Sequence, residues 1–190
     1  MEYQDSSSDL EGLTVVTIEQ AVAAPYVSCR LADAGARVIK IERPEGDFAR
    51  GYDSNVLGNS AYFVWLNRGK ESIALDLKNN EDLLVLKNII SKVDILIQNL
   101  APGAFERLGI SLKNLRLKHP KLITCSISGF GEDGPYKNQK AYDMLIQAET
   151  GLIELTGLPD KENFDGRAKV GASVCDISAG MTAYQAILQA

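Results

Sequence analysis

The side chains able to do chemistry in this sequence are few, and their surroundings limit what each is for. Arg43, Arg68, Lys70, Lys78, Arg107 and Lys140 are scattered through a chain in which 25 Asp and Glu outnumber 20 Lys and Arg, giving a formal net charge of −5. Several stand close behind β-branched, strand-like runs. Open α/β sheets bind ligands at such strand ends, and a basic group there favours phosphate. An acidic chain has the wrong sign for general nucleic-acid binding, so an anionic ligand must find a local basic patch and no nucleic-acid partner is expected. Cys29, Cys125 and Cys175 are far apart, form no CxxC pair and have no histidine at metal-ligand spacing. They read as small buried hydrophobes of a reducing, cytoplasmic protein without a metal site. The single histidine, His119, precedes Pro120 in a turn-like stretch and makes a poor general base. Glu42 lies about 23 residues after Glu19, the offset of a ribose-binding acid in dinucleotide folds. However, the preceding Gln20-Ala21-Val22-Ala23-Ala24-Pro25 has none of the glycines that admit a pyrophosphate, and no GxxxxGK[ST] occurs. By residue type alone, Asp176 reads as a helix N-cap before the last apolar stretch.

These groups need a scaffold, and the hydrophobic periodicity supplies one. Residues 13–18 are a short β-branched strand, Pro25 suits a first helical turn, a helix over 26–34 is stopped by Gly35, and 37–42 is a second strand. That is a right-handed βαβ unit with parallel strands. The pattern recurs. The aromatic run Tyr62-Phe63-Val64-Trp65-Leu66 is expected to pack on the core, 72–77 to be a strand, and Asn79 or Asn80 to cap a helix reaching Ser91 with Leu83, Leu84, Leu86, Ile89 and Ile90 as its buried stripe. A strand over 93–97, a short helix over 104–108, a helix capped by Ser111 and a strand over 122–127 follow. Beyond them come a helix over 142–149, an extended segment over 170–174 and a last helix over 178–190. The expected fold class is α/β, a Rossmann-like parallel sheet with helices on both faces. The polar, acidic residues 1–11 read as a disordered tail and 12–190 as one domain. A chain of 190 residues buries roughly 70% of its unfolded surface and needs no disulfide or metal staple. No run approaches the roughly 18 apolar residues of a membrane span.

Several separated blocks, in order, carry a family resemblance. Gly12-Leu13, Ala24-Pro25, the run Leu31-Ala32-Asp33-Ala34-Gly35-Ala36-Arg37-Val38-Ile39-Lys40-Ile41-Glu42-Arg43-Pro44 and Gly46-Asp47 resemble the opening of family III CoA-transferases, the carnitine/bile-acid CoA-transferase type. Asn67-Arg68-Gly69-Lys70-Glu71-Ser72 resembles that family's NR-x-K-x-S motif, and Asn99-Leu100-Ala101-Pro102-Gly103 its N-x-x-P-G turn. The resemblance implies CoA contacts at Val22, Ala23, Arg43, Leu75, Asp76, Leu77, Lys78, Asn99, Leu100, Ala101, Arg107, Lys140 and Tyr142, most of them behind strands. It places the family's catalytic aspartate at Asp176. No prosthetic group is implied; coenzyme A or an acyl-CoA enters as substrate, with a small carboxylic acid as its partner.

A carboxylate suits CoA transfer, because a nucleophile that resembles the donor and acceptor acids gives intermediates of matched energy. The same fold is shared by α-methylacyl-CoA racemases, in which a histidine precedes the aspartate corresponding to Asp143. Tyr142 stands there in this chain, so the second base of a racemase is missing and the transferase reading is favoured. Asp143 itself reads as structural or as an N-cap. The segments 46–53, 63–68 and 140–147 resemble the branch acting on C4 to C5 dicarboxylic acids, with succinyl-CoA as donor and itaconate, mesaconate or citramalate as acceptor. The resemblance further implies a homodimer of interlocked chains. The terminal helix has no stop signal, which predicts a continuation, and the resemblance implies that a second, small domain belongs to it; a truncated CoA-binding module without catalysis is the alternative.

Overall fold

In the computed structural model, residues 8–157 and 166–190 are described. β1 (Thr14–Ile18), β2 (Arg37–Glu42), β3 (Lys70–Ala74), β4 (Ile95–Gln98) and β5 (Ile123–Ser126) form one parallel sheet in the order β3-β2-β1-β4-β5. The order reverses at β1, whose two neighbours are β2 and β4, and all five carboxyl ends lie on one edge. Helices cover both faces, as expected. On one face α1 (Ala23–Asp33) and the long C-terminal helix, α8 (Val174–Gln189), bury Val27, Leu31 and Ile187 against Val15, Val38 and Ile97. On the other, α3 (Asn80–Ile90) and α4 (Ala104–Arg107) bury Leu86, Ile90 and Phe105 against Val16, Ile41 and Leu96.

Local chemistry explains the boundaries. α1 ends where Gly35 takes φ 98°, a left-handed value that glycine adopts without strain. Asn79 caps α3 by accepting from Glu81 N–H at 2.8 Å, and Ser111 caps α5 (Leu112–Lys118) by accepting from Asn114 N–H. Leu84, assigned to the buried stripe of α3, is 59% exposed, because at 100° per residue it falls off the face shared by Leu83, Leu86 and Ile90. Of the polar, acidic start, residues 1–7 lie outside the described residues, whereas Leu10 N–H donates to Ala34 O at 2.9 Å and Leu10 packs on the α1 face.

Three other expectations are corrected. β3 begins at Lys70, earlier than Ser72, because its pairing with β2 runs from Val38↔Lys70 to Glu42↔Ala74; Leu75 and Leu77 belong to the turn beyond. The aromatic run is a helix, α2 (Ala61–Asn67), that sends only Leu66 fully into the core. Its rings pack on neighbouring rings instead, in an edge-to-face chain Tyr26–Trp65–Tyr62–Tyr52 that continues to Phe48. Residues 170–173 form no strand, and α8 starts at Val174, four residues before Ser178, for a reason that lies in α6 (Asp143–Glu149) and is described below.

α8 approaches α1 closely at Gly180. A Cβ there would stand 2.8 Å from Ala23 O and 2.9 Å from Tyr26 Cδ1. Gly180→Ala is therefore expected to lower stability by about 1–3 kcal/mol despite alanine's better helix propensity, read as a lower thermal midpoint.

Candidate functional site

Two buried ion pairs shape the sheet's carboxyl edge. Lys40 Nζ, on β2, meets Asp47 Oδ2 at 2.7 Å and Asn67 Oδ1 at 2.8 Å. Lys70 Nζ, on β3, meets Glu19 Oε1 at 2.8 Å, Pro25 O at 3.0 Å and the same Asn67 oxygen at 3.2 Å. None of the four charged side chains is more than 2% exposed. Burial pushes the Lys70 ammonium down, against the opposing pull of Glu19. Ser28 Oγ donates to Glu19, and Asp47 Oδ1 accepts from Ala21 N–H and Ala49 N–H. Ala21 sits at φ 64°, left-handed for a residue with a Cβ. It is held by Asp47 on one side and on the other by Gln20, whose N–H and C=O are both bonded to the Asn99 amide.

Glu42, the candidate ribose acid, is already engaged. Its carboxylate accepts from Arg50 Nε and Nη2, Ser72 Oγ and Asp47 N–H. Burial alone would raise it, but these bonds prevail and hold it down at about 2. Lys70 and Arg68, two of the basic candidates, are likewise spent on Glu19 and Asp33.

Between these loops opens a cleft of about 460 Å³ at the ends of β1, β2 and β3. It brings together six of the residues implied by resemblance: Arg43, Leu75, Asp76, Leu77, Lys78 and Leu100. Arg43 donates Nε to Gly46 O at 2.8 Å and is otherwise exposed; Leu75 is buried beneath. The other positions lie outside this lining. Val22 and Ala23 are buried at the start of α1, whose N-terminus no side chain caps. Asn99 is the clamp on Gln20, Ala101 lines a neighbouring small depression, and Arg107 donates weakly to Pro102 O. Lys140 and Tyr142 are exposed just before α6. Gln20, which stands behind β1, also lines the cleft, as do Glu45 and Asp47, for which no ligand contact is expected from the sequence.

Asp176 lies in the first turn of α8, one helical turn before Gly180 and so on the face that meets the start of α1. It does not cap its helix. Asp143, from α6, does so: its Oδ1 accepts from Cys175 N–H at 2.8 Å and Asp176 N–H at 3.2 Å. That borrowed cap is why α8 begins early, and Asp143 is structural, capping a helix other than its own. Burial and then the Asp143 charge raise the Asp176 carboxyl from 3.8 to about 6. Among the described residues no hydrogen-bond donor reaches the Asp176 carboxylate, leaving a bare, unusually basic carboxylate that is still ionised at neutral pH. Tyr52 connects the two regions: burial, then the charges of Asp47 and Asp176, raise its phenol to about 12. Of the cysteines, Cys29 is buried and Cys125 and Cys175 are partly so, all as free thiols. Among the described residues no group of three His, Cys, Asp or Glu could hold a metal, and no helix is long and apolar enough to cross a membrane.

A reversing parallel sheet, a cleft at its carboxyl edge and a bare carboxylate nearby define an α/β ligand-binding domain equipped for acid–base or nucleophilic chemistry. The chain belongs to CoA-transferase family III, which its residues 10–190 match. It is 42% identical over 151 residues to an acetyl-CoA:oxalate CoA-transferase of Acetobacter aceti, covering 79% of this chain and 39% of that protein. It is 36% identical over 187 residues to a succinate–glutarate CoA-transferase of Agrobacterium fabrum, covering 94% and 46%. The crystal structure of a CAIB/BAIF family protein from Brucella suis superposes with a TM-score of 0.88 at 36% identity, over 97% of this chain and 49% of that one. The chain thus spans less than half the length of these curated relatives.

Two outcomes follow from the charges. Asp47→Ala leaves the buried Lys40 ammonium with the Asn67 amide and the Phe63 ring but without its ion-pair partner and is expected to cost about 3–5 kcal/mol, measured by urea denaturation. Asp176 holds its proton more tightly folded than unfolded, so the stability tied to it is complete below 3.8 and is lost as pH rises to about 6. Asp176→Asn should therefore melt at increasingly higher temperature than the wild type across that interval, with the gap constant above it.

Proposed function

We propose that this chain is the CoA-binding, nucleophile-bearing part of a CoA-transferase that moves CoA from an acyl-CoA to a dicarboxylic acid, with succinyl-CoA as the favoured donor. The observation that carries the reading is the pairing of the cleft at the sheet's carboxyl edge, where Arg43 and Lys78 supply local positive charge, with the bare Asp176 carboxylate at the start of α8. The nucleotide end of CoA fits the sheet's carboxyl edge, where the uncapped N-terminus of α1 and the Arg43 guanidinium favour anions. Contacts at Val22, Ala23, Asn99, Ala101, Arg107, Lys140 and Tyr142 extend that binding path beyond the cleft. Relatives named for oxalate and glutarate support a dicarboxylate as acceptor.

Asp176 attacks the donor thioester and expels CoA as thiolate, leaving a mixed anhydride. The thiolate then attacks the Asp176 acyl carbon, releases the donor acid and forms an aspartyl-CoA thioester; the acceptor carboxylate repeats both steps in reverse. Exclusion of water from the activated ester is required throughout, and a homodimer would serve it by covering the Asp176 carboxylate.

The test is mass spectrometry of the chain after incubation with succinyl-CoA. A CoA adduct on the peptide containing Asp176 is expected, and Asp176→Ala should abolish it while CoA affinity changes by less than about twofold. Arg43→Ala should weaken CoA binding by about 1–3 kcal/mol in calorimetry, the worth of a charge-assisted bond to phosphate. An adduct that persists in Asp176→Ala would overturn the nucleophile assignment.

A further inference from the structure

Gln147 is a buried polar side chain that the proposed chemistry has not used. It is fully buried on α6, yet its amide is satisfied: Nε2 donates to Asp143 Oδ2 at 2.6 Å and to Val170 O at 3.4 Å, and Oε1 accepts from Val170 N–H at 2.8 Å. One amide therefore fixes both the carboxylate that caps α8 and the backbone of the segment that leads into α8. Three N–H donors converge on Asp143, two from the first turn of α8 and one from Gln147. The neighbouring Asp176 receives none among the described residues, although a first-turn acid is well placed to draw on its own helix's N–H groups.

We propose that Gln147 is a positioning residue for group transfer: by clamping Asp143 to the segment at Val170, it keeps the α8 N-terminus occupied and Asp176 bare, which favours opening of the anhydride on the Asp176 side. The inference rests on the transferase reading and deepens it. In the anhydride, Asp176 and the donor acyl group share one bridging oxygen. Thiolate attack on the Asp176 acyl carbon forms the C–S bond of aspartyl-CoA and breaks that carbon's bond to the bridging oxygen. The electron pair leaves with the donor carboxylate, and no proton moves. Attack on the donor acyl carbon instead expels the Asp176 carboxylate and regenerates the original acyl-CoA. The two routes are separated by which carboxylate departs more readily, and a departing carboxylate is stabilised by hydrogen-bond donors. An Asp176 denied donors is the poorer leaving group, so the productive route gains.

The electrostatics agree in direction. Burial, then the Asp143 charge, raise Asp176, and the Asp176 charge in turn contributes to raising the Cys175 thiol on the same turn and the Tyr52 phenol.

The test titrates the Asp176 side-chain carboxyl by 13C NMR in the wild-type chain, in Gln147→Met, which keeps the volume without the amide, and in Asp143→Asn, which keeps a cap acceptor without the charge. The Asp176 midpoint is expected to fall in both variants with CoA affinity unchanged by calorimetry, and the rate of CoA-adduct formation from succinyl-CoA to fall roughly tenfold, as for a lost positioning group. A residue that only filled space would leave the midpoint where it is. Unmoved midpoints with a normal adduct rate overturn the positioning role. Moved midpoints with no adduct in any form, wild type included, overturn the transferase reading and the leaving-group consequence with it. Should Gln147→Met fail to fold, Asp143→Asn decides by the same readouts.

Discussion

Two ammonium groups that scarcely meet water hold the ligand edge in shape. Lys40 and Lys70 lie on neighbouring strands and share one oxygen of Asn67, while their charges are answered by Asp47 and Glu19 from the loops that follow β2 and β1. A buried ion left without its partner costs several kcal/mol, so each loop is restricted to the arrangement that delivers its carboxylate. The left-handed turn at Ala21 persists on the same account. Its N–H is drawn to Asp47 and its neighbour is gripped by Asn99, so the strain is outweighed by bonds that no relaxed conformation would keep.

The region around Asp176 is secured by different means. Shape sets the distance, since Gly180 admits the backbone of α1 where any side chain would collide. A borrowed carboxylate then finishes the helix: Asp143 fills the role that Ser173, the formal N-cap, leaves undone. Charge governs one region and close packing the other, and Tyr52 lies within the electrostatic reach of both.

Much of this was legible in the sequence, and the part that was not has a common cause. Strand ends could be placed because β-branched runs alternate with helical stripes, and a parallel sheet sends every carboxyl end to one edge; Arg43, Leu75, Lys78 and Leu100 follow from that rule. Lys40 and Lys70 look like any strand lysine, and nothing local marks either as buried, since the answering carboxylates are 7 and 51 residues away. The start of α8 was misjudged because its cap comes from 32 residues upstream. Hydrophobicity alone assigns the aromatic run to the core, whereas its rings find partners in neighbouring rings, Tyr62 on Trp65 and Tyr52 and Trp65 on Tyr26. Local pattern dictates elements, and long-range polar pairing dictates where they begin and end.

The aromatic chain has a spectroscopic side. Trp65 is the sole tryptophan, 40% exposed, and its ring is joined edge-to-face through Tyr62 to Tyr52, the phenol that feels Asp176. The molecule therefore carries a single indole joined by ring contacts to its reactive corner, with tyrosines placed to pass excitation to it. Emission from one native side chain is thus a report on the loop after β2, without any label being attached.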